Sequence, residues 1–147
     1  MISYEAIRAH IAAELPQFLD VGLAGNLADA LSRGNARYPS AYVFPLSEVG
    51  GPNRFMNEAV IDQEVRERFS VLLLVRSVGA RRSEEAIDDI EVIRPALKTA
   101  LGRYRPEGAH GGCRHYQGQL TSNIGQGGKL VWQDSFEVLT SERILAA

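Results

Sequence analysis

The sequence predicts a single α+β domain: an antiparallel or mixed β-sheet with two main helices packed on one of its faces. Three patterns carry that expectation. From Ala59 to Val75 apolar and polar residues alternate with period two, as in a strand with one buried and one wet face. Ile87, Ile90, Ile93, Leu97 and Leu101 recur at helical spacing behind an acidic start. Gly125-Gln126-Gly127-Gly128 separates two further strand patterns, as a hairpin turn would.

The first helix begins behind Ser3, a good N-cap, and carries one apolar stripe of Ile7, Ile11 and Leu15. Pro16 ends it, because proline disfavours helical geometry in the residue before it. Residues 17–23, apolar at Phe18, Leu19, Val21 and Leu23, fit a short strand, whereas residues 25–33 fit a helical turn or a loop. After Tyr38-Pro39-Ser40 a strand is expected over 41–44, limited by Pro45. A flexible loop is expected over 47–57, which contains Gly50-Gly51-Pro52-Asn53.

In the long alternation Ala59, Ile61, Val65, Phe69, Val71, Leu73 and Val75 share one parity, with Glu58, Asp62, Glu64, Arg66, Arg68 and Ser70 between them. The pattern is about three times the usual strand length, so either a bulge or bend divides it or the strand runs beyond the domain body. Leu72 and Leu74 make the second half apolar on both faces, which places that half in the covered centre of the sheet and the first half nearer an edge. The second helix starts at Ser83, with Glu84 and Glu85 favouring its dipole, and stops at Gly102. Pro95 should kink it by removing a backbone hydrogen bond. A glycine-rich loop over 108–112 leads into strands over 114–124 and 129–140, the last with Leu130, Trp132, Phe136 and Val138 on one face.

At 147 residues, 45% hydrophobic and 23% charged, the chain has the size and composition of one globular domain that needs no metal or disulfide to hold it together. A formal charge of -2 argues against a general nucleic-acid binder, and no sequence-specific nucleic-acid partner is expected. One cysteine allows no intrachain disulfide, and the N-terminus shows no signal-peptide core, so synthesis in a reducing cytosol is expected. The longest apolar run, residues 71–75, is far too short to span a bilayer, so no membrane partner is expected.

His110-Gly111-Gly112-Cys113-Arg114-His115 brings two histidines and the cysteine within six residues, which could supply three zinc ligands. A closed structural site needs a fourth, and the remaining His10 lies at the far end, so a glycine loop entering a strand is the better reading. No metal or cofactor is expected. Gly125 to Lys129 lacks the Ser/Thr of a phosphate loop and precedes a strand, not a helix. Glu84, Glu85, Asp88, Asp89 and Glu91 lie off the apolar stripe and read as a solvated face. Arg81-Arg82 and Arg103-Tyr104-Arg105 flank the helix. The mixed charges of the long strand suit solvent or a subunit seam, where opposite charges set register.

Several segments together resemble the tail terminator (tail completion) proteins of long-tailed bacteriophages, of the Mu-like type. They are YPSAYVFPL at 38–46 with the VGGPN loop after it, QEVRERFSVLLLVRS at 63–77, the acidic-start helix ending ALGRYRP at 100–106, and LVWQDSFEVLT at 130–140. They cover most of the chain in the expected order. The resemblance implies a structural virion protein, not an enzyme, acting at the tail–neck junction. It implies a ring of identical subunits, commonly six, that caps the tail tube and stops its elongation. Its partners would be its own copies, the tail tube protein, a neck or head-completion connector and, in a contractile tail, the sheath protein, with DNA passing through the lumen. On this reading Glu58, Asp62, Glu64, Arg66 and Arg68 lie at the subunit seam. Glu48, Asn53 and Arg54 in the 47–57 loop, with His110 and His115, lie on an axial or lumen surface. Three alternatives stay open: a head–tail connector of the same virion, a small cytosolic enzyme using Cys113 with His110 or His115, and a nucleic-acid-binding module, which the charge balance disfavours.

Overall fold

The computed structural model describes residues 1–34, 37–55, 59–76, 82–122 and 129–145. Five strands form one mixed sheet in the order β1-β2-β3-β5-β4. They are β1 (Asp20–Leu23), β2 (Ser40–Gly50), β3 (Val60–Arg76), β4 (Arg114–Ser122) and β5 (Lys129–Leu145). Only β1 and β2 run parallel; the other neighbours are antiparallel. Helices α1 (Tyr4–Glu14) and α3 (Arg82–Gly102) share one face of the sheet and touch each other. A third helix, α2 (Ala24–Arg33), makes the crossover between the parallel strands and resolves the ambiguous 25–33 segment.

The expected cap and stripes build this layer. Ser3 Oγ accepts the Ala6 N–H at 3.1 Å, and Ile7 and Ile11 are fully buried. Ile90, Ile93, Leu97 and Leu101 of α3 pack with them over Phe69, Val71, Leu73 and Val75 of β3 and Leu130, Phe136 and Val138 of β5. The apolar parity of the long strand is therefore the helix-covered side. Tyr42, on the other side, is also fully buried, its hydroxyl donating to Asp20 at 2.7 Å.

Several boundaries differ from expectation. Strand β1 occupies only the last four residues of the apolar 17–23 segment. Strand β2 does not end at Pro45: the register against β3 shifts between Pro45 and Ser47, and pairing resumes to Gly50↔Val65. A bulge is where a strand tolerates proline, so the extra residue Leu46 absorbs it. Residues 47–50 are thus strand, not loop. The rest of the expected loop, as far as residue 55, is pinned in place. Asn53 Oδ1 accepts from the Phe55 and Asp62 N–H groups, while Gly51 N–H and Arg54 N–H donate to the Glu64 and Asp62 carbonyls at 2.7 Å.

Strand β3 is unbroken over 17 residues because β5 pairs with it throughout, from Val60↔Leu145 to Arg76↔Lys129. It lies inside the sheet, between β2 and β5, and its first five residues run past the last β2 pair. Of the two options for the long alternation, extension beyond the domain body is the one found. Strand β5 correspondingly continues past residue 140 to Leu145. Helix α3 opens at Arg82, one residue before the expected Ser83 cap, and contains Pro95. Strand β4 is described to Ser122, and the glycine turn at 125–128 lies outside the described residues.

Candidate functional site

The face of the sheet away from α1 and α3 carries a charge cluster. Register puts Arg66 and Arg68 of β3 opposite Leu139 and Glu137 of β5, and Arg114 of β4 opposite Glu137 from the other side. Glu137 is only 6% exposed, yet Arg114 Nη2 lies 2.9 Å, Arg68 Nε 3.0 Å and Arg66 Nε 3.5 Å from its oxygens. Burial alone would raise its pKa; the hydrogen bond from Arg68 and the charges of Arg66, Arg114 and Arg68 outweigh it and hold the carboxyl below its ordinary value. The arginines remain accessible, their side chains 52%, 39% and 74% exposed for Arg66, Arg68 and Arg114. Arg68 also stacks over Tyr116, 4.8 Å from the ring centroid.

Beside the cluster is a cavity of about 360 Å³ lined by Arg66, His110, Gly111, Gly112, Arg114, Glu137 and Leu139. His110 holds its rim, with Nε2 2.7 Å from Ser141 Oγ and its N–H donating to the Leu139 carbonyl. Past this point β3 and β5 continue as a two-stranded ribbon with the 51–55 turn folded against it. Phe55, Ile144 and Leu145 are exposed there, as is Val49 on the adjoining end of β2. Arg143 lies 5.8 Å from the Phe55 ring centroid.

The expected site residues therefore divide. Arg66, Arg68 and His110 meet at the cluster. Asp62 and Arg54 form a 3.5 Å ion pair on the ribbon, where Asn53 braces the turn and Glu64 is exposed. Glu48 is exposed on β2 opposite Glu67. Burial first, then the charges of Glu67 and Glu48, push the Tyr4 hydroxyl up to about 12. His115 belongs elsewhere: it lies on the helix side, Nε2 2.9 Å from Asp134 Oδ1. Glu58 lies outside the described residues. Sequence reasoning missed Arg114, Tyr116 and Glu137 as members of the cluster. Arg114 stood within the motif read for His and Cys, while Glu137 comes into place only through a pairing some seventy residues away from Arg68.

The His110–His115 loop does not converge as a catalytic or metal-binding group. Cys113 is buried, its thiol 3.8 Å from the Tyr104 carbonyl, and burial pushes its pKa up to about 12. That keeps it protonated at neutral pH, the reverse of an activated nucleophile. Among the described residues no group of three His, Cys, Asp or Glu side chains could hold a metal ion, and no helix is long and apolar enough to cross a membrane.

Two buried carboxylates brace the helix side. Asp134, fully buried, accepts from Arg94 at 2.9 to 3.2 Å and from Trp132 Nε1 at 3.1 Å, tying α3 to β5, while Arg94 covers the Trp132 ring at 4.4 Å. Glu67 accepts the Ile2 N–H at 3.2 Å and the Thr140 hydroxyl at 3.0 Å, anchoring the N-terminal segment. These carboxylates fix the platform; the arginine face and the ribbon are what the domain presents outward.

A family model described as phage tail terminator protein matches residues 1–144. A search of curated proteins finds no match.

Proposed function

The chain belongs to the phage tail terminator family, a structural family and not an enzyme family, and from that premise we propose that it closes into a ring on the end of the tail tube. The ring, six-fold on this reading, blocks addition of further tube subunits and offers its far side to the neck. Its site is the tail–neck junction of the virion. The tube protein lies on one side and a head-completion connector on the other, with the sheath protein alongside where the tail contracts.

The observation that supports this reading is the part of the sheet face opposite α1 and α3 that carries three accessible arginines around Glu137, continuous with a ribbon carrying exposed apolar side chains. Arginine and aromatic residues are the side chains that protein interfaces favour. A head-to-tail contact repeated around an axis closes into a ring with two unlike faces, as a plug between a tube and a neck requires. The seam is assigned to Arg66, Arg68 and the ribbon residues Asp62 and Glu64. Axial contacts are assigned to Glu48, Asn53 and Arg54, with His110 at the junction between the two.

Co-sedimentation with polymerised tail tube protein tests the assignment. A terminator binds tube ends, so the amount pelleted rises when the same mass of tube is sheared into more pieces. Binding that follows tube mass and ignores the number of ends would contradict it.

A further inference from the structure

We propose that the Arg66–Arg68–Arg114 cluster is a socket for the acidic first half of α3 of a second copy of this chain. Neighbouring subunits would then pack the arginine-bearing part of the sheet face against the helix face. The inference rests on the ring reading and names the partner surface within it.

The charge balance of the cluster motivates it. Three guanidinium groups share one carboxylate, Glu137. Each guanidinium has five N–H donors, and a carboxylate offers about four acceptor positions, so most of the donors remain for an incoming group. Guanidinium pairs best with a planar carboxylate, which it grips through two parallel hydrogen bonds. The adjoining cavity, bounded by His110, Gly111, Gly112 and Leu139, gives such a side chain room to enter.

The same molecule carries the complement. Residues 82–91 of α3 hold Glu84, Glu85, Asp88, Asp89 and Glu91 against the single base Arg82. Glu91 and Val92 are exposed there, Val92 at 72%. Helix α3 packs on one face of the sheet and the arginine cluster occupies the other. Glu91, exposed on α3, and the arginine cluster thus lie on opposite sides of the sheet, and opposite charges so divided favour a heterologous contact, in which each copy gives one surface and receives the other.

Two charge-reversed variants test this. R66E/R114E reverses the socket and leaves Arg68 on Glu137; E84K/D88K/E91K reverses the helix. Each, checked for a wild-type circular dichroism spectrum, is added to tail tubes and the capped ends are counted by negative-stain microscopy, with wild type alongside. R114E alone replaces the double variant if that one does not fold. Like charges then face each other across the seam, so each variant alone is expected to cap ends about tenfold less often than wild type or worse. An equal mixture is expected to restore capping, because alternating copies rebuild an opposite-charge contact at every seam. Wild-type capping by either variant alone would overturn the socket while leaving the ring reading standing. Loss in both variants without rescue in the mixture would also overturn it, as would salt-sensitive duplex DNA binding that R66E/R114E abolishes. Failure of wild type itself to cap would instead overturn the ring reading.

Discussion

Replacing Asp134 with alanine should be among the most damaging single changes to the fold. The carboxylate is completely buried and holds Arg94 through contacts of 2.9 to 3.2 Å, Trp132 Nε1 at 3.1 Å and His115 at 2.9 Å. Asp134→Ala leaves the Arg94 guanidinium, whose side chain is only 23% exposed, without its counter-charge. Removing one partner of a buried pair costs about 3–5 kcal/mol. With an unfolding entropy of ~2.1 cal/mol/K per residue, a chain of this size loses about 10–16 °C in Tm for that change. Urea denaturation followed by the fluorescence of Trp132, the only tryptophan, measures it directly. Arg94→Ala removes the same ion pair, so the double variant should fall short of additivity by about 1–3 kcal/mol. A loss below ~1 kcal/mol for Asp134→Ala, or strictly additive variants, would refute the clamp.

Four further outcomes are expected. Glu137 has a folded-state pKa below its ordinary value, so its contribution to stability is present above the unfolded carboxyl pKa and lost as pH falls through the folded one; Glu137→Gln should flatten that acid limb in pH-dependent melts. Cys113 in the folded protein should react with a thiol reagent at pH 8 at least about tenfold more slowly than in urea, and equal rates would show that the thiol is open. A Cβ at Gly112 would run into the backbone carbonyl of Gly102, so Gly112→Ala should cost about 1–3 kcal/mol by chemical denaturation. Ile144→Asp, at an exposed ribbon position, should shift stability by no more than ~0.5 kcal/mol yet reduce pelleting with tubes.

The layer of helices and the central strand were legible because periodicity reports burial directly. Alternation through 59–75 and the Ile and Leu stripe of α3 mark their covered sides without knowledge of their partners. What hid the ribbon was local chemistry that reads as punctuation. Pro45 suggests a strand end and Gly50-Gly51-Pro52 a loose loop, but a one-residue bulge and the Asn53 side chain carry the chain through both. The end of β5, Ser141 to Leu145, has no clean alternation of its own and is held as strand by its pairing with β3. The site was legible only in half. Arg66 and Arg68 stood on the polar parity, whereas Glu137 joins them through long-range register. His115 sits five residues from His110 but on the opposite face of the sheet, because β4 turns its side chain toward Asp134.

On the proposed function, this chain ends tube growth. Polymerising the tail tube protein with and without it, and measuring tube lengths and ends by negative-stain microscopy, tests that most directly. Tubes are expected to stop lengthening once the protein is added, with a ring at one end of each. Unchanged growth with bare ends would contradict it.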